Sequence, residues 1–342
     1  MPGDPWALRF AHNQFSDMDP EEFEQYLGLN QKIPHKENAL GLPQHSRGRH
    51  LADIPDTIDW SNRYHSNSHG QRKMYPVKNQ GSCGSCWAFA VTSTLEGTLA
   101  IKTESAPIRL SEQQGVDCTL TKEYGKGGDY NDRDWGCWGC EGCWMENFYE
   151  YLKVYGAMKE EDYPYVAYEK KNCNMYNESK TVGKVGMWKA MSSVDEMKER
   201  AAQQPLDVAV CASGWGSFGT GVVRKNECCT GLNHAVTVVG YNLCGGSDGG
   251  DDTTPDPEPS PEPEPQPGPS DCSVDKWWYS CQESNARRLN DTCIPYWIIQ
   301  NSWGTSWGDG GFVKLEITGD DDTVGTCGIN KVAEYADWKN LY

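Results

Sequence analysis

Fifteen cysteines in 342 residues limit this chain more than any other feature of its sequence. Such density belongs in an oxidising compartment, where thiols pair and staple the fold. Fifteen is odd, so complete pairing still strands one thiol. The run Gln80-Gly81-Ser82-Cys83-Gly84-Ser85-Cys86-Trp87-Ala88-Phe89 shows which one has a use for staying free. Cys86 opens an apolar segment that continues through Val91 with Leu95, Leu99 and Ile101 at helical spacing. It therefore stands at a helix N-terminus, where positive partial charge favours the thiolate. Gly84 and Ser85 let the backbone approach closely before that helix begins. Gln80 carries an amide N–H that, with the backbone N–H of Cys86, can hold a developing oxyanion. A redox pair of Cys83 and Cys86 is the competing reading, but no βαβ pattern surrounds it and the tryptophan follows the pair rather than preceding it.

A thiol nucleophile needs a base. Six of the seven histidines, His12, His35, His45, His50, His65 and His69, fall before residue 70, and His234 alone lies downstream. It heads the run His234-Ala235-Val236-Thr237-Val238-Val239-Gly240-Tyr241, which reads as a buried strand. A second such strand, Tyr296-Trp297-Ile298-Ile299-Gln300, delivers Asn301. If the two are antiparallel neighbours, Asn301 lies beside His234, the arrangement in which an amide orients an imidazole. Either residue alone is ordinary: a histidine in an apolar strand is mostly core, and an asparagine after one is mostly turn.

With these residues placed, the chain resembles the papain-like cysteine peptidases, in a cathepsin L-like proform. Beyond the nucleophile run, the resemblance is carried in order by Leu110-Ser111-Glu112-Gln113-Gln114 before Cys118, Gly139-Cys140-Glu141-Gly142, Tyr163-Pro164-Tyr165, Asn233-His234-Ala235, and Asn301-Ser302-Trp303-Gly304-Thr305-Ser306-Trp307-Gly308. It implies an α+β, two-domain fold: a helical left domain around Cys86, an antiparallel β-barrel-like right domain carrying His234, and a cleft between them. It also implies roles, with Cys86 as nucleophile, His234 as general acid and base, Asn301 as orienter, Gln80 as oxyanion donor and Trp303 as a shield over the Asn301 to His234 bond. The backbone of Gly142 and Cys143 would bind substrate. Trp144, Met145, Ala209, Leu232, Ala235 and Val332 would line a pocket for the residue two before the scissile bond, which their apolar character suits to a bulky apolar guest. Cys143 departs from the family, which has glycine there: its side chain either narrows the cleft or turns away into a bridge with Cys137. The resemblance requires no cofactor and no metal. Cys137, Cys140 and Cys143 have metal-like spacing, but no fourth ligand is nearby.

The resemblance pairs Cys83 with Cys140, Cys118 with Cys173, and Cys228 with Cys327, leaving Cys137, Cys143, Cys211 and Cys229, and separately Cys244, Cys272, Cys281 and Cys293, open to further bridges. Residues 1–53 read as part of an inhibitory propeptide, with Asn13-Gln14-Phe15-Ser16-Asp17-Met18 leading to a helix start at Pro20. In the family such a segment lies in the cleft opposite in direction to substrate. The peptidase domain would span 54–342, beginning near Ile54. Nothing after Met1 reads as a signal peptide, and the longer helical part that the resemblance implies upstream of such a propeptide is missing, so the chain is expected to be truncated at its N-terminus. Residues 243–294 replace a short hairpin with a Pro/Glu-rich spacer and a small Cys-rich module that could meet a ligand of its own. Loop insertions are also expected at 64–73 and 121–135. His65 and His69 precede Cys86, unlike the later adjacent histidines that block the cleft in one exopeptidase branch, so an endopeptidase is favoured.

A net charge of −18 disfavours nucleic-acid or anionic-membrane partners, and no run approaches the length of a membrane span. Asn177 and Asn290 head glycosylation sequons. The expected setting is a lysosome-like vacuole or the extracellular space, and the expected state a monomer acting on protein or peptide substrates. The rival class is a non-catalytic binding protein on a peptidase fold, against which the intact Cys86, His234, Asn301 and Gln80 argue.

Overall fold

The computed structural model describes residues 6–29, 54–62, 70–120, 136–191, 193–244, 293–319 and 322–341. The spacer and module, with Cys272, Cys281 and Asn290, lie outside the described residues, as do His65, His69 and the insertion at 121–135. In chain order the strands are β1 (Arg9–Phe10), β2 (Thr57–Asp59), β3 (Ala157–Met158), β4 (Thr181–Ala190), β5 (Leu206–Val210), β6 (Phe218–Thr220), β7 (Val222–Val223), β8 (His234–Asn242), β9 (Tyr296–Gln300), β10 (Phe312–Glu316) and β11 (Ala333–Leu341). The helices are α1 (Pro20–Glu24), α2 (Cys86–Lys102), α3 (Glu112–Cys118), α4 (Met145–Tyr155) and α5 (Val194–Ala201).

Local chemistry sets the helix starts. Asp19 accepts from the Glu22 backbone N–H while the Glu22 carboxylate returns to Asp19 N, and Pro20 fills the first turn of α1. Ser111 caps α3 by accepting from Gln114 N. Helix α2 has no polar stripe because residues 86–100 are buried on every side, as expected of a helix threaded through a core. It packs on β8, β11, α3 and α4.

Nine strands form one sheet in the order β3-β4-β11-β5-β8-β9-β10-β7, with β2 added on β8. Its pairs are antiparallel except β7 with β10. Two apolar clusters divide the molecule. One gathers Cys86, Trp87, Phe148 and Tyr151 around α2 and α4. The other gathers Val236, Trp297, Trp303 and Trp307 around the sheet. This is an α+β architecture with a helical half and a β half. None of the helices is long and apolar enough to cross a membrane among the described residues.

Where α4 covers the sheet, three carboxylates are buried together. Asp207 of β5 stands directly opposite Glu334 of β11, and Glu146 of α4 joins them. Tyr149 OH donates to Asp207 Oδ1 at 2.5 Å. Burial pushes the Asp207 carboxyl up to about 7, with the Glu146 charge adding and the Tyr149 bond opposing. Burial, with Asp207 and Glu146, also raises Glu334 well above the usual carboxylate range. A carboxyl with a folded pKa above its unfolded value of about 4 makes the folded state bind more protons. Its stabilisation is full below about pH 4 and is lost as pH rises through about 7. The melting temperature should therefore fall between pH 4 and pH 8 in thermal melts, and Asp207→Asn should flatten that slope. An unchanged slope in the variant would remove Asp207 from the account.

Candidate active site

Cys86 occupies the first position of α2, fully buried, and is the free cysteine among the described residues. Its Sγ accepts from Ala235 N at 3.4 Å, which brings the start of β8 against the thiol. The β8 and β9 register, with Thr237 opposite Gln300, sets His234 beside residues 301–303. His234 Nε2 lies 2.8 Å from Asn301 Oδ1. Ser302 N–H donates to the same oxygen at 2.8 Å, so that atom is the carbonyl oxygen and Nε2 must carry the imidazole proton. Nδ1 is then the basic nitrogen, and it is buried without a hydrogen-bond partner among the described residues. The Trp303 ring stacks on His234 at 4.6 Å and is itself fully buried.

Gln80 is held from both halves. Its Oε1 accepts from Ser302 Oγ at 2.7 Å, its backbone N–H donates to Ser302 O at 2.9 Å, and its Nε2 donates to Cys83 O at 2.8 Å. Upstream, Lys78 Nζ bonds Glu96 and Glu112 at 2.6 Å each, pinning this segment to α2 and α3. Burial opposes the Lys78 charge, but the two carboxylates outweigh it and raise its pKa. Burial pushes Glu96 up to about 7 against the pull of Lys78.

Six disulfides link described cysteines. Cys83 joins Cys140, Cys118 joins Cys173, and Cys228 joins Cys327. The remaining three are Cys137 with Cys143, Cys211 with Cys229, and Cys244 with Cys293. The last closes the base from which residues 245–292 leave. Asn177 is exposed, and its Oδ1 accepts from both the backbone and the hydroxyl of Ser179. No group of histidine, cysteine and acidic side chains suited to a metal occurs among the described residues.

The cleft is filled by the chain's own N-terminal part. β1 pairs with β6, Gln14 Nε2 donates to Trp303 O at 2.6 Å, and Phe15 and Phe23 each meet the Trp303 ring edge-on at 5.2 Å. The backbone then crosses the thiol. Tyr26 O accepts from Gln80 Nε2 at 3.0 Å, Gly28 N–H donates to Cys86 Sγ at 3.2 Å, Gly28 O accepts from Cys143 N at 3.0 Å, and Leu29 N–H donates to Asn233 O at 3.1 Å. Leu29 is 3% exposed and shares an apolar cluster with Trp144, Met145, Ala209, Ala235 and Val332, with Leu232 partly buried against it. Under this cover, burial pushes the Cys86 thiol up to about 11. Burial also pulls His234 down to about 4, the Asn301 bond opposing.

A sequence profile described as papain family cysteine protease matches residues 54–250 and 283–336. This chain belongs to the papain family. Among its relatives, cysteine protease XCP2 of Arabidopsis thaliana is 32% identical over 94% of this chain and 72% of its own length. A cathepsin L-like proteinase of Fasciola hepatica is 32% identical over 89% of this chain and 72% of its own. Among solved structures, digestive procathepsin L2 of the Tenebrio molitor larval midgut superposes with a TM-score of 0.67 at 26% identity, covering 96% of this chain and 84% of that one. The neighbouring procathepsin L 3 gives 0.62 at 28% identity, covering 96% and 82%. This papain-family chain is thus a peptidase, similar over nearly its whole length to proforms.

Sequence reasoning does not find Ser302 as the group that orients Gln80, or Tyr26, Gly28 and Leu29 as the segment over the thiol. The Ser302 hydroxyl comes directly after Asn301, which is the one signal that could point to it; the crossing segment carries none beyond a small residue between apolar ones.

Proposed function

We infer that this papain-family peptidase hydrolyses peptide bonds through Cys86, His234 and Asn301, and that residues 1–53 hold it latent. The observation that carries the reading is the set of bonds around the imidazole: Asn301 fixes Nε2–H at 2.8 Å and leaves a bare Nδ1 beside the residue that touches Cys86 Sγ. His234 Nδ1 takes the thiol proton, and the thiolate at the start of α2 attacks the carbonyl carbon. Gln80 Nε2 and the Cys86 backbone N–H hold the oxyanion. The imidazolium then protonates the departing amine as the C–N bond breaks, leaving a thioester. Water, deprotonated by His234, attacks the thioester, and collapse releases the acid and restores the thiol. Gln80→Ala should lower kcat by roughly 10²–10³ with a much smaller change in KM, as measured by steady-state kinetics. A kcat within twofold of wild type would remove Gln80 from the mechanism.

Latency is a matter of direction. In a productive substrate, the residue in the pocket lies on the N-terminal side of the reacting carbonyl. Here Leu29 sits in that apolar cluster on the C-terminal side of Tyr26, whose carbonyl is on the oxyanion donor. The segment therefore runs in the direction opposite to a productive substrate. Leu29 also supports a bulky apolar preference for the pocket. The disulfides support a secretory-pathway setting, vacuolar or extracellular. Residues 243–294 leave β8 at the end remote from His234, which suits display outside the cleft rather than a gate. Incubation of the purified chain at acidic pH, with N-terminal mapping and a peptide library, tests the whole reading: a new terminus near Ile54 should appear together with cleavage after a residue one past an apolar one. Activity appearing with residues 6–29 still attached would contradict it.

A further inference from the structure

We propose that the Cys137–Cys143 disulfide is a positioning device for the backbone N–H of Cys143, which it holds toward the cleft as a donor to the substrate carbonyl. The proposal rests on the peptidase reading of the cleft. That N–H donates to Gly28 O of the segment lying in the cleft, at 3.0 Å, so it is the chain's own peptide-binding donor on this wall. A backbone that must approach a ligand closely is commonly glycine, because a Cβ and the rest of a side chain compete with the ligand for the same space. Residue 143 carries a side chain nonetheless, and that side chain is wholly buried, bonded to Cys137 and approached by Asn147 Nδ2 at 3.5 Å. The sulfur is thereby led away from the groove while the amide is left facing it.

The anchor at the other end is firm. Cys137 N–H donates to Thr119 O at 3.2 Å, and Cys137 bridges Leu120, both just past the end of α3. The intervening turn reverses at Gly142, whose φ of +116° suits glycine. It is closed by Trp138 N–H to Gly142 O at 2.9 Å, and Cys83–Cys140 joins it to the loop ahead of Cys86. After the turn, Trp144 is the N-cap residue of α4 and makes no side-chain cap bond to it. Residue 143 thus lies between a glycine turn and an uncapped helix start, and the Cys137 bridge is the covalent tie that fixes its own Cα. Nothing in the sequence distinguishes this outcome from a side chain that narrows the cleft.

The test uses the processed enzyme with both cysteines replaced together, as Cys137→Ser with Cys143→Ser, and as Cys137→Ala with Cys143→Ala, which adds no hydroxyls to a buried site. Two substrates are compared: a peptide, and its E-alkene isostere, which lacks both the carbonyl of the pocket residue and the N–H of the next. In wild type the isostere's KM should exceed the peptide's by the loss of both groups, of which the carbonyl's bond accounts for roughly 5- to 10-fold. In the variants the peptide's KM should rise by about that 5- to 10-fold, and the gap to the isostere should narrow by the same factor. Both kcat and the rate of Cys86 alkylation by iodoacetamide should stay within about twofold, since neither needs that amide. An unchanged peptide KM, or a gap that does not narrow, overturns the proposal. So does a fall in kcat and alkylation in step with KM, which would make the bridge general scaffolding. If neither pair folds, wild type is titrated with dithiothreitol, whose two thiols reduce the bridge to two cysteines as they form a cyclic disulfide, and the opened pair is counted by mass. KM must then rise with opening while kcat holds, and a constant KM on an opened bridge overturns the proposal. Loss of kcat and alkylation in wild type itself would instead tell against the catalytic reading.

Discussion

Replacing Cys86 by alanine should abolish peptide-bond cleavage, by roughly 10⁴-fold or more in kcat, while the chain keeps its fold and its ability to bind peptides. The size reflects what is lost. No thioester can form, and neither Gln80 nor His234 has a nucleophile to serve. The fold should tolerate the change because the thiol's partners are backbone N–H groups, Gly28 N at 3.2 Å and Ala235 N at 3.4 Å among them, and it takes part in no disulfide. Steady-state kinetics on the processed variant, with thermal melts as the check on folding, measures both halves. A Cys86→Ala protein that retained a tenth of wild-type cleavage would put the chemistry on other residues.

Gly28→Ala should do the reverse and switch on a chain that is otherwise latent. A Cβ on Gly28 would stand 1.9 Å from Gly84 O and 2.4 Å from Gly84 C, both backbone atoms of the loop that precedes Cys86. That loop cannot retreat, being tied through Cys83–Cys140 and through Gly84 N–H to Cys140 O at 2.9 Å. The segment must lift instead, losing its bonds to Cys86, Cys143 and Gln80 together. Overpacking of this kind costs about 1–3 kcal/mol, which corresponds to roughly 5- to 150-fold weaker self-inhibition. The intact Gly28→Ala chain should therefore cleave a reporter peptide before processing, while Glu24→Ala, an exposed change on α1, should not. A Gly28→Ala chain as silent as the wild type would show that the segment's path over the thiol is not what suppresses activity.

Much of the site can be read from the chain because its chemistry is local. A thiol at the head of an apolar run, a histidine opening one β-branched run and an asparagine closing another are one-dimensional patterns, and antiparallel pairing of β8 and β9 suffices to join them. The helix start at Pro20 is legible for the same reason. The segment over the cleft is not, because its fit depends on Gly84, which only tertiary structure brings to Gly28. The carboxylates of Asp207 and Glu334 are hidden too. Each is one acidic residue in a strand, and only the register of β5 against β11 reveals that they face each other. The fate of the Cys143 side chain is open between two readings in the sequence for want of a distance, and the structure bonds it to Cys137.

Mass-mapped alkylation by iodoacetamide, run in parallel on the intact and the processed chain, tests the central claim most directly. Cys86 lies beneath Gly28 in the intact chain, with its thiol pushed up to about 11 by burial. The label should therefore appear at Cys86 only after residues 6–29 are released, and lost activity should match the labelled fraction one for one. Labelling of Cys86 at equal rates before and after release, or full activity on a fully labelled Cys86, would contradict the account.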